Sequence, residues 1–269
     1  IGGVLGAIFV RCNSYICRYR NEYVLTDKQR LLEVLLVIIG FTCISFLLPL
    51  FWNTCSSIPT EVVQWTEQER QLAGQLVPLY CDKNTQYNEL GSLFLTDGDT
   101  AIKQLFHFKE LGNGQDDSTI RSSALLMFLI VYVGVFCITC GLTMAAGMFV
   151  PALLAGACFG RIVGHLLHIF DASHAGTYAL MGAAAFTSGI TRITISLSIM
   201  ILEATGDMQY VLPLMITTLA AQYFGNLCSE GMDEMKIESM RYPYLVEEEQ
   251  LGSGPSGPSG SYDATLGCN

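Results

Sequence analysis

Apolar residues in this chain are bunched into runs about as long as a bilayer is thick, which restricts the fold more than any single motif does. A helix crossing hydrocarbon needs roughly 20 consecutive apolar residues. No water is present there to bond a stray backbone group, so helices or a closed barrel are the only choices. Leu31 to Phe51 is one such run, with Glu33 near its start as its single acid. Ser122 to Ile169 holds about two helix lengths, Tyr178 to Ala204 is another run, and Tyr210 to Leu227 is a shorter one. Ile1 to Val10 reads as the remnant of a further helix, and the chain as a fragment whose upstream part is missing. Composition agrees: 51% of the 269 residues are hydrophobic, 14% are charged and the mean hydropathy is +0.42. The periodicity is helical and nothing reads as a sheet, so the fold class is all-α, a polytopic transmembrane helical bundle. Thr119 to Ala146 lacks proline and any polar run, and is expected to span as one helix.

Gly147-Met148-Phe149-Val150-Pro151 interrupts the longest apolar stretch. Proline is tolerated in the first turn of a helix, so Pro151 marks a helix start. A helix start has unbonded N–H groups and the positive end of the helix dipole, which together suit an anion. Inside a bilayer such a break survives where it lines a cavity or is buried in protein. The string also suits a simple kink or a packing glycine, so its neighbours must decide between them.

Charge is distributed by region within a net charge of −10. Trp52 to Ile120 carries ten acids against four bases, and Glu230 to Asn269 carries eight against two. These are solvated segments and exclude a nucleic-acid surface. Arg11 to Arg30 instead holds Arg11, Arg18, Arg20, Lys28 and Arg30 against Glu22 and Asp27, and reads as a cytosolic loop by the positive-inside rule. The segment after Leu31–Phe51 then lies on the luminal or extracellular side. Its Cys55 and Cys81 either pair there or remain two thiols, and spacing does not separate the readings.

The remaining candidates favour structure over chemistry. Ala152, Ala155, Gly156, Ala157, Gly160 and Gly164 give two overlapping GxxxG patterns, which let membrane helices approach closely. Gly182 to Ala185 repeat the theme, and Ser188-Gly189 mark an expected break. Arg192 and Glu203 bracket the next apolar run and read as interfacial or structurally paired charges. Cys137 and Cys140 are read as packing residues, and His165 and His168 as helix-end residues, so no metal site is expected. No Walker-type loop or nucleophile elbow is present, and the chain is not read as an enzyme. Leu251 to Ser261 is a Gly/Ser/Pro linker.

Several motifs in fixed order resemble the CLC chloride channels and chloride/proton exchangers. Gly147-Met148-Phe149-Val150-Pro151 is similar to that family's GxFxP element and is followed by Gly160-Arg161. Tyr178 to Ala185, Gly189-Ile190-Thr191-Arg192, Leu202-Glu203-Ala204-Thr205, Pro213-Leu214-Met215 and Tyr242-Pro243-Tyr244-Leu245 continue the likeness. Tyr87-Asn88-Glu89-Leu90 and Asp99-Thr100-Ala101-Ile102 resemble a loop of the plant and endolysosomal branch.

The resemblance implies that residues 1–245 are the C-terminal half of an inverted-repeat membrane domain with broken, tilted helices. Residues 52–118 would form its luminal or extracellular region, and residues 246–269 an acidic, then Gly/Ser/Pro-rich cytosolic linker. It further implies a voltage-gated-type chloride or nitrate channel, or an anion/proton antiporter. The backbone amides of Met148 and Phe149 would hold the anion, with Gly147 and Pro151 shaping the motif. No cofactor is implied beyond the bound chloride or nitrate. Protons would be a partner if the protein is an exchanger, and a homodimer in a vacuolar, endosomal or lysosomal membrane is implied. At Asp233 the family usually has a tyrosine whose hydroxyl reaches the anion. A carboxylate there repels an anion, so that role is not carried over. A polytopic transporter of another substrate and a non-conducting fragment are the alternative readings.

Overall fold

The computed structural model describes residues 1–23, 26–52, 54–57, 74–82, 86–107, 120–142, 147–167, 175–206 and 208–240. Its helices are α1 (Gly2–Tyr23), α2 (Asp27–Phe51), α3 (Glu89–Leu95), α4 (Gly98–His107), α5 (Ser122–Thr139), α6 (Phe149–Leu167), α7 (Ala175–Thr191), α8 (Ile195–Thr205), α9 (Val211–Cys228) and α10 (Met232–Met240). Among the described residues, Lys28–Phe51, Ser122–Thr139, Phe149–Leu167 and Met208–Cys228 are long and apolar enough to cross a membrane. Leu31, Leu36, Ile39, Phe46 and Leu50 of α2 are exposed, as are Leu212, Ile216, Leu219 and Leu227 of α9. Outward apolar faces of this kind require a lipid or protein covering. The fold is thus the expected helical membrane bundle, and the chain is an integral membrane protein.

The α6–α7 pair is the centre of the bundle, with α4 and α5 against α6 and with α1 and α9 against α7. Glycine permits the central contact. A Cβ on Gly156 would stand 2.8 Å from the Ala183 Cα, and one on Gly182 would stand 2.7 Å from the Gly156 carbonyl oxygen. Gly160 likewise abuts the Tyr178 carbonyl and the Ala179 and Gly182 Cα atoms. The two backbones therefore touch directly, as close membrane-helix packing requires. Two apolar clusters flank this seam. One gathers Leu90, Leu105, Leu125, Phe128, Leu154, Leu180, Leu197 and Leu214, and the other Phe9, Phe136, Ala155, Phe186, Ile190 and Met232.

Arginines terminate several helices. Arg161 is fully buried in α6, and its Nη1 donates to the Leu105 carbonyl at 2.7 Å in the last turn of α4. Arg20 Nη2 donates to the Ile138 carbonyl at 3.2 Å, Arg192 Nη2 to the Ser229 carbonyl at 2.9 Å, and Arg11 to the Cys228 carbonyl. Each places positive charge at the negative end of a helix, where carbonyls have no intrahelical donor.

These contacts explain where the sequence reading misplaced boundaries. The basic segment from Arg11 to Tyr23 is the second half of α1 rather than a loop, because Arg11, Asn13 and Arg20 bond the ends of α5 and α9. The helix expected over Thr119–Ala146 ends at Thr139, where Arg20 covers Ile138 and crowds Gly141; residues 143–146 lie outside the described residues. The break expected at Ser188-Gly189 occurs at Arg192, whose φ is 61°. Gly189 is instead a contact with Gly3, and Ser188 Oγ donates to the Thr218 carbonyl at 3.0 Å. Arg192 is structurally paired, as read, while Glu203 is exposed. His168, residues 58–73 and 108–119, and the segment from residue 241 onward, including the linker, lie outside the described residues.

Sheet structure is nevertheless present. Strands β1 (Cys55–Ser57) and β2 (Gln86–Asn88) pair antiparallel, with Cys55 opposite Asn88. Three-residue strands are too short to leave a period in the sequence. Cys55 and Cys81 are disulfide-bonded across a Cα separation of 6.0 Å, which settles the two readings of that pair. The Asn88 side chain caps α3 by accepting from the Gly91 N–H at 2.9 Å, and donates to the Pro49 carbonyl near the end of α2 at 3.2 Å. Beside it the Glu89 carboxylate is fully buried, accepting from Ser56 Oγ and from the Arg121 N–H at 3.2 Å. Burial pushes the Glu89 carboxyl above its usual range, although both hydrogen bonds oppose the shift.

Two predictions follow from this packing. Gly182→Val inserts branched carbons into the α6–α7 seam and is expected to destabilise the protein by about 3 kcal/mol or more; a fluorescence-detected thermal melt in detergent measures it, and an unchanged melt would contradict the direct backbone contact. Glu89 binds its proton more tightly when folded, so its contribution is full below the ordinary glutamate pKa and is lost as pH rises through the raised folded value. Glu89→Gln should flatten that decline in the hydrogen exchange of residues 86–95, whereas a variant retaining the wild-type pH slope would assign the slope to another group.

Candidate functional site: the N-terminus of α6

Helix α6 begins at Phe149, and its first ordinary bond runs from the Ala152 N–H to the Met148 carbonyl at 3.1 Å. Pro151 has no N–H to satisfy, so the donors preceding that bond are the amides of Met148, Phe149 and Val150. Gly147 is exposed, and among the described residues a Cβ built on it would meet no atom within 4 Å beyond its chain neighbours. Glycine there keeps the chain thin where an approaching ion would meet the amides.

Two side chains clamp this turn from opposite cores. Met148 packs on the cluster of Phe9, Phe136, Cys137, Cys140 and Met232, whereas Phe149 packs on the cluster of Leu90, Leu105, Leu125 and Leu154. Adjacent residues anchored in different cores fix the peptide between them. The Phe149 N–H belongs to that peptide, so its direction is set by packing rather than by a flexible loop.

The structure brings together Gly147, Met148, Phe149 and Pro151, as contiguity demands, and separates Asp233 from them in character. Asp233 is exposed in the first turn of α10, where a carboxylate is favoured by the helix dipole. The face of α10 that reaches the turn is formed by Met232, Met235 and Lys236, with Met232 fully buried. Lys236 Nζ donates to Met148 Sδ at 3.1 Å. The sequence reading passed over Lys236. Its spacing of four from Met232 and one from Met235 places it at the edge of the apolar face of α10, a signal that a helical projection carries.

Among the described residues no group of three or more histidine, cysteine or carboxylate side chains converges, and Cys137 and Cys140 are buried free thiols. The donors at this turn are backbone amides at the positive end of a helix, a kind of group that suits an anion without a fixed charge.

Comparison with known proteins bears on the family and the fold. The family model described as "Voltage gated chloride channel" matches residues 1–226. The mouse protein named H(+)/Cl(-) exchange transporter 7 is 30% identical over 94% of this chain and 30% of its own length. The Arabidopsis thaliana protein named Chloride channel protein CLC-d is 30% identical over 91% of this chain and 31% of its own. Among solved structures, a crystal structure of a eukaryotic CLC transporter superposes with a TM-score of 0.60 at 26% identity, covering 88% of this chain and 33% of that one. The chain thus spans about a third of the length of the curated relatives it matches.

Proposed function

The chain belongs to the voltage-gated chloride channel family, and on that premise we propose that it forms part of a pathway moving chloride or nitrate across a membrane. The observation carrying this reading is the start of α6, where the amides of Met148 and Phe149 precede the first helical bond, Gly147 is exposed, and the two side chains pack on separate cores. An anion leaving water there exchanges hydration for N–H groups and a helix dipole. Asp233 need not oppose it, because it is exposed to solvent and balances its own helix start. The other walls of the pathway belong to the part of the protein that the family's first half supplies. The relatives named as exchange transporters favour anion exchange against protons over simple conduction. Transport by a homodimer in an intracellular, endosomal, lysosomal or vacuolar membrane completes the proposal, with transport rather than catalysis as the protein's work.

Flux measurements on the full-length protein in liposomes test the coordination. Phe149→Pro deletes one amide donor while keeping a helix-compatible φ, and should lower chloride efflux by about tenfold or more, in line with the loss of a strong charge-assisted hydrogen bond. Met148→Leu keeps its amide and should lower efflux far less. Equal effects would contradict backbone coordination. In the same vesicles, proton movement driven by a chloride gradient marks exchange, and chloride flux without it marks a channel.

A further inference from the structure

Lys236 is placed as no structural lysine needs to be. Its Nζ lies 3.1 Å from Met148 Sδ, one residue from the Phe149 amide. A thioether is a weak acceptor and leaves the ammonium charge unneutralised. Among the described residues no carboxylate comes within ion-pair distance of it: Glu234 Oε2 accepts from the Gly231 N–H at 3.3 Å, and Asp233 is exposed. Asp99 adjoins Gly98, whose added Cβ would meet Val150 on the far side of the turn, and is paired with Lys103 at 2.8 Å. Arg11, Arg20 and Arg192 in the same region are hydrogen-bonded to helix-end carbonyls, and Arg20 also pairs with Glu33. Lys236 is thus a cation beside the α6 N-terminus whose described hydrogen-bond partner is neutral. Lys236 is half-buried at the edge of the Met232–Met235 face, close to the Cys140 thiol, and its bond to Met148 is part-buried.

We propose that Lys236 is an electrostatic funnel for the anion site: its ammonium, seated on Met148, raises the local anion concentration at the α6 N-terminus without itself coordinating the ion. The inference rests on the reading of that turn as the anion site. A full charge in direct contact would hold the ion too tightly for flux, whereas a charge displaced by one side chain recruits ions and lets them leave. Focusing by a single half-buried charge acts on capture and is weakened by salt, whose Debye length is about 8 Å at physiological ionic strength. The effect therefore belongs to half-saturation and to ionic strength, two readouts that a packing role does not move.

The experiment uses the full-length protein in liposomes, with chloride uptake measured against chloride concentration at low ionic strength and again with added gluconate salt. Lys236→Gln should raise the half-saturating chloride concentration about 3- to 10-fold at low ionic strength, with the larger share of the loss in half-saturation rather than in maximal rate. The difference should shrink as gluconate salt screens the charge, and Lys236→Arg should restore the wild-type value. If Lys236→Gln matches wild type at low salt while Phe149→Pro still lowers uptake by about tenfold or more, the funnel is overturned and the coordination reading stands. A lowered maximal rate with unchanged half-saturation and salt dependence would make Lys236 a packing residue and also overturns it. Full uptake by Phe149→Pro removes the anion-site reading itself.

Discussion

Every helix end in this bundle presents backbone groups that the helix cannot satisfy, and in a lipid-embedded chain water answers few of them. That requirement organises the molecule. At the C-terminal ends the answers are arginines: Arg161 for α4, Arg20 for α5, and Arg11 and Arg192 for α9. Each guanidinium brings several donors in a rigid fork to carbonyls at the negative end of a dipole. The buried Arg161 is the extreme case, a charge with no exposure that bonds the end of a neighbouring helix. Losing such a partner leaves a buried charge and bare carbonyls together, a far larger penalty than losing a surface ion pair.

The N-terminus of α6 is built the other way. Gly147 before it is exposed, and the side chains of the turn are spent on anchoring rather than on capping. An asparagine at the same position of α3 shows the contrast, since Asn88 turns its own oxygen onto the Gly91 N–H and closes that helix start. Met148 cannot do this. On the proposed reading the start of α6 takes a ligand from outside the chain, and the helix dipole sets the sign of that ligand.

The sequence disclosed these features unevenly, for physical reasons. Bilayer-length apolar runs and the small residues of α6 and α7 were legible because lipid and close packing each impose a composition over many positions. Pro151 made the start of α6 legible, because proline has so few places in a helix. The end of α5 and the break after α7 were misread. They depend on Arg20 and Arg192 reaching carbonyls 118 and 37 residues away, and no local pattern records a partner so distant. The β1–β2 pair was invisible for the same reason, since its pairing of Cys55 with Asn88 is tertiary. At the site, attention to Asp233 obscured Lys236 three residues later, where the apolar face of α10 meets Met148.

The central claim is that an anion rests on the amides at the start of α6. Bromide is a close substitute for chloride and scatters anomalously, so crystals of the full-length protein grown with bromide give the most direct test. The account predicts an anomalous peak within hydrogen-bonding reach of the Phe149 N–H, ahead of Gly147 and at the positive end of the α6 dipole. Bromide peaks confined to arginine and lysine side chains, with none at that turn, would contradict it.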